Sequence, residues 1–367
     1  MTKARDIASA TTPNANAALL ATFPHRNLII NGAMQVAQRG TSNTITTSGV
    51  FTSDRFKVTK GNTDELVATL TQDTSAPSGF SNSTKITVNT AETAVAADES
   101  LNCRYEIEAR DLQGIANGTS NAKSLTLSFW VKSSVTGTYT VALYKNDNTS
   151  RLITSTYTIS TANTWEQKTL TFAGDTSGGG INNDSGSGLS IVWWLTVGAN
   201  KTGTNSTSWI NYVEGGYAYG HTADIASTAS ATWQITGVQL EVGDTATPFE
   251  HRSYADELAR CQRYYYRIGD AGGGFYATGF ISDPDDTYFD LSLPCSMRID
   301  APTISYANVV IYTSAGTETS FTINNWKANG ASLYLNCDST TTPWSTGQAS
   351  SLFVTATTGW LAADAEL

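Results

Sequence analysis

Residues 233–265 read WQITGVQLEVGDTATPFEHRSYADELARCQRYY, and this stretch determines how the chain is divided. Apolar and polar residues alternate through 233–242, which is typical of a half-buried β-strand. A proline-containing turn ends that pattern. Ser253, followed three residues later by Asp256, then predicts the capped start of a short helix that runs through Tyr265. We therefore expect the strand to close one domain and the helix to lead into another.

The hydrophobic pattern of this strand changes parity at a glycine. Trp233 and Ile235 occupy odd positions, whereas Val238 and Leu240 occupy even ones. Because successive side chains of a strand point to opposite faces, a switch at Gly237 predicts a β-bulge with one extra residue.

Similar alternation extends through the preceding 120 or so residues. It is clearest in 124–133, where Leu125, Leu127 and Phe129 share one face. Further segments with alternating apolar residues are 139–143, 156–161, 165–172 and 189–197. In the last of these, the period of two predicts a buried Trp193 and an outward-facing Trp194.

Composition supports an all-β chain of more than one domain. The 367 residues exceed the roughly 150 of a typical domain, and only 15% of them are charged.

The segment around the Asn31-Gly32 turn predicts a first strand with Leu28, Ile30, Met34 and Val36 on its buried faces. An Asn329-Gly330 pair predicts a hairpin in the C-terminal part.

Charge and cysteine usage exclude several classes of function. A net charge of −10 without a basic stripe argues against nucleic-acid binding. No apolar run approaches the roughly 18 residues of a membrane span, so no membrane insertion is expected. The four cysteines form no C-x-x-C pair, and we expect them to be free thiols. A disulfide between Cys295 and Cys337 is the alternative.

The junction string resembles one found in structural proteins of tailed phages and prophages, usually described as tail fibres. The segments TKARDIA at 2–8, LSFWVKSSVTGTYTVALY at 127–144 and LPCSMRIDAPTISY at 293–306 are also similar to that family. In the family, the junction closes a jelly-roll domain similar to carbohydrate-binding modules and opens a smaller terminal β domain.

The resemblance implies an order of parts. We expect an extended anchoring arm at 1–26, a jelly-roll β-sandwich at 27–250, a helical junction at 251–268 and a C-terminal β-sandwich at 269–367. The residues expected at the interdomain junction are Glu250, His251, Arg252, Tyr254, Cys261, Tyr264 and Tyr265. For His251, a hydrogen-bonded structural role between domains is favoured over catalysis.

The same resemblance implies a virion protein made in the host bacterial cytoplasm. It would bind other virion proteins, associate as a homotrimer and adhere to a host receptor such as a surface glycan. A capsid decoration or head-fibre protein without a receptor role is the alternative. A polysaccharide depolymerase is a weaker one, because no carboxylate pair is recognisable. We expect no enzyme activity and no cofactor.

The long segment 202–230 is unusually aromatic for a linker. Exposed rings beside polar groups can bind sugars. The carbohydrate-binding candidates are therefore Trp194, Trp209, Tyr217 and Tyr219. Alternatively, these rings pack under the loop or against another subunit.

Metal binding is not expected. Modules of the resembled kind commonly hold a structural calcium through acidic residues of the first and last strands. Here Gln35 stands at the first position, and 235–238 reads ITGV where an aspartate pair would be familiar. Loss of these anionic ligands weakens any affinity for calcium. The acidic run at 283–286 is interpreted as a solvated turn.

Overall fold

The computed structural model describes residues 25–269, 274–314, 316–340, 344–354 and 358–367. Over the described residues the chain is mostly β, with 47% strand and 7% helix. It divides into two compact units, the first ending at Tyr254 with the addition of Leu367, and the second running from Ala255 to Glu366. Nearly all of the predicted anchoring arm lies outside the described residues.

The first unit contains two antiparallel sheets. Its strands are β1 (Ser42–Ile45), β2 (Val50–Phe51), β3 (Phe56–Gly61), β4 (Val67–Asp73), β5 (Ser83–Thr90), β6 (Ser100–Glu108), β7 (Leu125–Ser133), β8 (Gly137–Lys145), β9 (Arg151–Ile159), β10 (Glu166–Phe172), β11 (Ser187–Val197), β12 (Ile210–Asn211) and β13 (Thr232–Val242). Short 3₁₀ turns occupy Ala109–Ile115, Ala199–Lys201 and Glu214–Gly216. The sheet orders are β1-β4-β5-β13-β7-β10 and β12-β9-β8-β11-β6-β3-β2.

The core of this unit draws side chains from both sheets. Leu127 and Phe129 of β7, together with Trp233 of β13, belong to the same buried cluster as Tyr105 and Trp193 from the other sheet. The ring centroids of Phe129 and Trp193 lie 6.0 Å apart. Each large apolar side chain buried in this way contributes about 1.5–3 kcal/mol. The predicted alternation in 124–133 and 189–197 is confirmed, and the unit is a β-sandwich.

The bulge predicted at Gly237 is also confirmed. The pairing of β13 with β7 shifts register between Thr236 and Gln239. Gly237 has a φ of 62°, in the left-handed region that disfavours other residues. The extra residue therefore lets both halves of the strand keep their apolar side chains in the core.

The prediction of a first strand around Asn31 is wrong. Residues 27–40 form no strand, and both Asn31 (φ 60°) and Met34 (φ 56°) take left-handed conformations. The Asn31 side chain hydrogen bonds to the backbone N–H and C=O of Val36 at 2.9 Å, which replaces strand pairing locally. Of the four side chains predicted to be buried, Met34 and Val36 are fully buried, whereas Leu28 and Ile30 are only partly buried and Ile29 between them is buried instead.

Two of the predicted junction residues bind the start of the first unit. The Glu250 carboxylate accepts the backbone N–H groups of His25 and Asn27, each at 2.8 Å. Arg252 donates to the carbonyl oxygens of Asn27 at 2.5 Å and Ile29 at 2.9 Å. These bonds hold residues 25–29 against the end of the sandwich.

His251 contacts aromatic rings instead of the hydrogen-bonding partner that the sequence suggested. Its ring centroid lies 4.8 Å from that of Phe249 and 5.3 Å from that of Phe80, both in the first unit. These ring contacts of His251 therefore belong to the packing of the first unit. The junction residue Tyr254 is 57% exposed.

The helix after the junction is shorter than predicted. Helix α1 spans Tyr254–Gln262, and Tyr265 already begins a strand, β14 (Tyr265–Gly269). The strand prevails because the backbone of Tyr265 pairs with Asp364 near the C-terminus, a partner that local sequence does not reveal. Cys261, Tyr264 and Tyr265 are buried.

The second unit also consists of two antiparallel sheets. Its remaining strands are β15 (Gly274–Ile281), β16 (Asp286–Ser292), β17 (Thr303–Ala307), β18 (Val309–Thr313), β19 (Gly316–Glu318), β20 (Phe321–Asn329), β21 (Ser332–Ser339), β22 (Ala349–Val354) and β23 (Trp360–Asp364). The sheet orders are β14-β23-β17 and β19-β18-β22-β15-β16-β21-β20. The hairpin predicted at Asn329-Gly330 joins β20 to β21. None of the four cysteines, all of which lie in the described residues, forms a disulfide bond.

Replacing Gly237 by Ala should destabilise the first unit by about 2 kcal/mol, since a left-handed residue with a Cβ costs about 1–2 kcal/mol and crowding adds to it. The new Cβ would lie 2.7 Å from Cζ of Phe80 and 3.0 Å from Cδ1 of Trp130. Urea unfolding measures the change. Gly203→Ala is the control, because its Cβ would meet no atom within 4 Å. Equal stability of the two variants would contradict the argument.

Candidate functional site

A cavity of about 500 Å³ opens where strands β9 and β10 come together. These strands belong to different sheets of the sandwich, and β10 is an edge strand. The residues that line the cavity are Ile153, Thr154, Ser155, Thr156, Thr171, Phe172, Ala173, Thr207, Ser208, Tyr219 and Gly220. Two strands and two segments of the long loop 202–230 thus build one site.

The lining combines apolar and hydroxyl groups, and none of the described residues that form it has a charged side chain. Phe172 and Ile153 are buried, at 1% and 3% exposure, whereas Thr156 and Ser208 are exposed. The Tyr219 ring is half-buried. A hydroxyl both donates and accepts hydrogen bonds, so this lining suits an uncharged ligand with many hydroxyl groups.

A buried ion pair holds part of the loop beside the cavity. Arg151, at the start of β9, donates from Nε to the Asp175 carboxylate at 2.8 Å. Its other guanidinium nitrogens donate to Oδ1 of Asn211 at 2.8 Å and to the carbonyl of Trp209 at 3.0 Å. Trp209 in turn donates from Nε1 to the carbonyl of Ala173, in the cavity wall, at 2.6 Å. Trp209 therefore supports the wall without lining the cavity.

Ser206 positions the neighbouring loop residues. Its carbonyl accepts the N–H of Thr154 at 2.8 Å, and the hydroxyls of the two residues lie 2.7 Å apart. The Ser206 hydroxyl also donates a hydrogen bond to the carbonyl of Gly216 at 2.6 Å. These bonds bring Thr207 and Ser208 to the rim of the cavity.

A buried histidine fixes the segment that carries Tyr219. The hydroxyl of Thr140 donates to the Tyr219 carbonyl, and the Thr140 N–H donates to Nδ1 of His221, each at 3.2 Å. The His221 ring also packs edge-on against Tyr139 at 5.8 Å. Burial lowers the pKa of His221 to about 4, so the ring is neutral at pH 7.

The other two predicted sugar-binding residues pack against each other elsewhere. Trp194 lies on the opposite face from Trp193, as predicted, but it is only 2% exposed and so offers no exposed platform. Its Nε1 donates to the Tyr217 carbonyl at 2.7 Å, and the rings meet edge-on at 5.0 Å. The loop covers Trp194, a long-range contact that strand periodicity does not predict. Burial also raises the pKa of Tyr217 to about 12.

Three carboxylates that sequence reasoning missed lie together outside the cavity. Oxygen atoms of Asp64, Glu92 and Glu99 are all within 4.8 Å of one another, and the two glutamates are buried. One Glu92 oxygen accepts the backbone N–H groups of Glu65 at 3.2 Å and Leu66 at 3.3 Å. Oxygen ligands in this arrangement could hold a hard cation. Glu92 and Glu99 come from the β5–β6 connection, whereas Asp64 comes from the β3–β4 connection, so only the fold brings the aspartate to the two glutamates.

The acidic run at 283–286 forms the turn that the sequence suggested. Oδ1 of Asp283 accepts the backbone N–H groups of Asp285 and Asp286, each at 3.0 Å. This is the local side-chain bonding typical of aspartate in turns.

In the described part of the chain, no helix has the length and apolar character needed to span a membrane.

Comparison with solved structures finds distant β-rich neighbours. The enzymatically active domain of tailspike protein 4 of bacteriophage CBA120 is 14% identical, with a TM-score of 0.30, over 60% of this chain and 22% of that one. The family 11 carbohydrate-binding module of a Clostridium thermocellum cellulase is 11% identical, with a TM-score of 0.28, over 61% of this chain and 97% of that module. A xylan-binding domain from Paenibacillus barcinonensis is 12% identical, with a TM-score of 0.28, over 59% of this chain and 99% of that domain.

The chain spans about a fifth of the phage tailspike structure it matches. No protein-family model matches the sequence, and no curated protein matches it either. At these TM-scores the similarity describes a distant likeness in fold, and the function has to be argued from the site.

The neutral state of His221 predicts a pH dependence of stability. Its pKa is about 4 in the fold against an ordinary 6.5, so its stabilising contribution is complete above pH 6.5 and is lost as the pH falls towards 4. The loss is on the order of 3 kcal/mol. Urea unfolding of the wild type and of His221→Gln at pH 7 and pH 4 should show the smaller decrease for the variant. An equal loss of stability in the two proteins between pH 7 and pH 4 would contradict the lowered pKa of His221.

Proposed function

We propose that this chain is a virion protein of a tailed phage, a tail fibre or similar appendage, that binds a neutral glycan on the host surface. The cavity between β9 and β10 is the observation that carries the glycan part of the proposal. Its volume of about 500 Å³ falls in the range of small-ligand sites, roughly 300–1,000 Å³.

The chemistry of the lining favours a saccharide over other small ligands. Ser155, Thr156 and Ser208 offer hydroxyl groups to the hydroxyls of a sugar, and the ring of Tyr219 offers an apolar surface for its C–H groups. No lining residue is cationic, so an acidic sugar would find no counter-charge there. The expected ligand is therefore uncharged.

The same lining favours binding without cleavage. Glycoside hydrolysis ordinarily uses two carboxyl groups placed about 5–9.5 Å apart on either side of the scissile bond. None of the residues that line this cavity carries a carboxylate. We therefore propose a non-enzymatic role over the depolymerase alternative.

The virion part of the proposal rests on the resemblance of the junction string to phage fibre proteins. It includes attachment to other virion proteins and association as a homotrimer. A capsid decoration or head-fibre protein could use the same domains. Immunogold electron microscopy of particles that contain the chain distinguishes them, because label at the tail supports the proposal and label confined to the head contradicts it.

Removing the Tyr219 ring should weaken glycan binding about tenfold, a loss of about 1.4 kcal/mol, as expected for an aromatic residue at the centre of a contact. A microarray of bacterial surface glycans identifies the ligand of the wild-type chain. Calorimetry then compares that ligand with Tyr219→Ala.

Tyr254→Ala is the matched control, because this tyrosine is 57% exposed and does not line the cavity. It should bind like the wild type. Absence of any array ligand, or the same affinity for both variants, would contradict the proposed site. Release of reducing ends from the bound glycan would instead favour a depolymerase.

A further inference from the structure

The outward face of the larger sheet in the second unit carries two rows of aromatic rings. In one row, Tyr288 lies between Phe280, at 5.8 Å, and Tyr334, at 5.5 Å, and the two tyrosine rings are stacked. In the other, Phe353 lies 5.0 Å from Tyr312 and 5.8 Å from Phe275. The side chains of Phe280 and Tyr334 are 56% and 41% exposed.

These rings are outward residues of well-packed strands rather than misplaced core residues. On β16, Phe289 and Leu291 point inward and are nearly fully buried, and Leu333 and Leu335 do the same on β21. Tyr288 and Tyr334 occupy the alternate positions of these strands. Proteins rarely expose a contiguous apolar surface of this kind unless it binds something.

A polar acceptor without a donor lies in the same region of the face. Asn336 pairs across the strands with Tyr288, and Asp338 lies two residues further along β21. The Oδ1 atom of Asn336 is buried and has no hydrogen-bond partner among the described residues, whereas the Asp338 carboxyl is shared with that of Asp286. An unsatisfied buried polar atom costs about 1–3 kcal/mol, so the Asn336 oxygen requires a donor from a ligand or from water.

A pair of carboxylates adds to this cost. Asp286 and Asp338 face each other across β16 and β21. Burial, a hydrogen bond with the Asp286 carboxyl and the negative charge of that carboxyl raise the pKa of Asp338 to about 6. Repulsion of this kind lowers stability near neutral pH, and such unfavourable local arrangements are commonly retained at binding sites.

The chemistry of the face selects one class of ligand. Stacked rings bind the apolar face of a sugar, while the oxygens of Asn336, Asp338 and Asp290 can accept hydrogen bonds from its hydroxyl groups. Acidic polymers would be repelled by the aspartates. An apolar protein surface would leave those carboxylates desolvated and unpaired, which is costly.

We propose that this face, centred on Tyr288, Tyr334 and Asn336, is a second glycan-binding site that takes a neutral polysaccharide chain. It shares no residue with the cavity of the first unit and does not depend on the function proposed there. The long row of rings suits several consecutive sugar units of a polymer, whereas the cavity suits a short saccharide.

Affinity electrophoresis of the full chain in gels containing mannan, galactan or mixed-linkage β-glucan tests the proposal. All proteins carry Tyr219→Ala, so that the cavity is impaired and the face is measured separately. At least one polysaccharide should retard this background protein. Adding Tyr334→Ala should weaken its affinity about tenfold, whereas Tyr334→Phe, which keeps the ring, should change it little. Phe280→Ala is a second test at a more exposed ring.

Absence of retardation by all three polysaccharides would overturn the proposal, as would unchanged retardation of both alanine variants. Stronger retardation by alginate, an acidic polymer, would overturn the selectivity for neutral chains. If sedimentation shows that Tyr334→Ala dissociates an oligomer while retardation persists, the face is a contact between subunits and the glycan site is rejected. Failure of binding at the cavity alone would leave these results unaffected.

Discussion

The candidate cavity depends on one buried ion pair. Arg151 is 9% exposed and Asp175 is 1% exposed. The other two guanidinium nitrogens of Arg151 donate hydrogen bonds to the loop that borders the cavity. Desolvating two charges is costly, and the pair is tolerated because its donors and acceptors are used in additional hydrogen bonds. The backbone at Gly178 also approaches the arginine so closely that a Cβ there would lie 2.0 Å from its Cδ. The ion pair thus fixes the loop at the edge of the sandwich.

A loop fixed in this way presents a preformed site. Ser206, Thr140 and Arg151 each bind backbone groups of the loop, so the segments that carry Thr207 and Tyr219 are held before any ligand arrives. A flexible loop would lose conformational entropy on binding, which reduces affinity. The aromatic content of 202–230 therefore serves two purposes. Trp209 and Tyr217 mainly stabilise the loop, whereas Tyr219 contributes to the cavity itself.

The sequence predicted what local periodicity determines. Alternation in 124–133 and 189–197 placed Leu127 and Trp193 in the core, and the change of parity located the bulge at Gly237. Predictions failed where a distant segment decides. Tyr265, predicted in the helix, pairs instead with the C-terminal strand, and periodicity could not decide whether the loop covers the outward-facing Trp194. The cavity itself was out of reach, since β9 and β10 belong to different sheets.

The absence of charge in the cavity lining has a consequence for recognition by an acidic chain. With a net charge of −10, long-range electrostatics would slow approach to an anionic bacterial surface. The described lining residues offer only hydroxyls, backbone groups and apolar surface, which act at contact distance. Interactions of this kind are little affected by screening, whereas an ion-pair interface weakens as the Debye length shrinks to about 8 Å at physiological ionic strength. For the glycan proposed to bind here, affinity should therefore change little with salt, and specificity should depend on hydroxyl geometry.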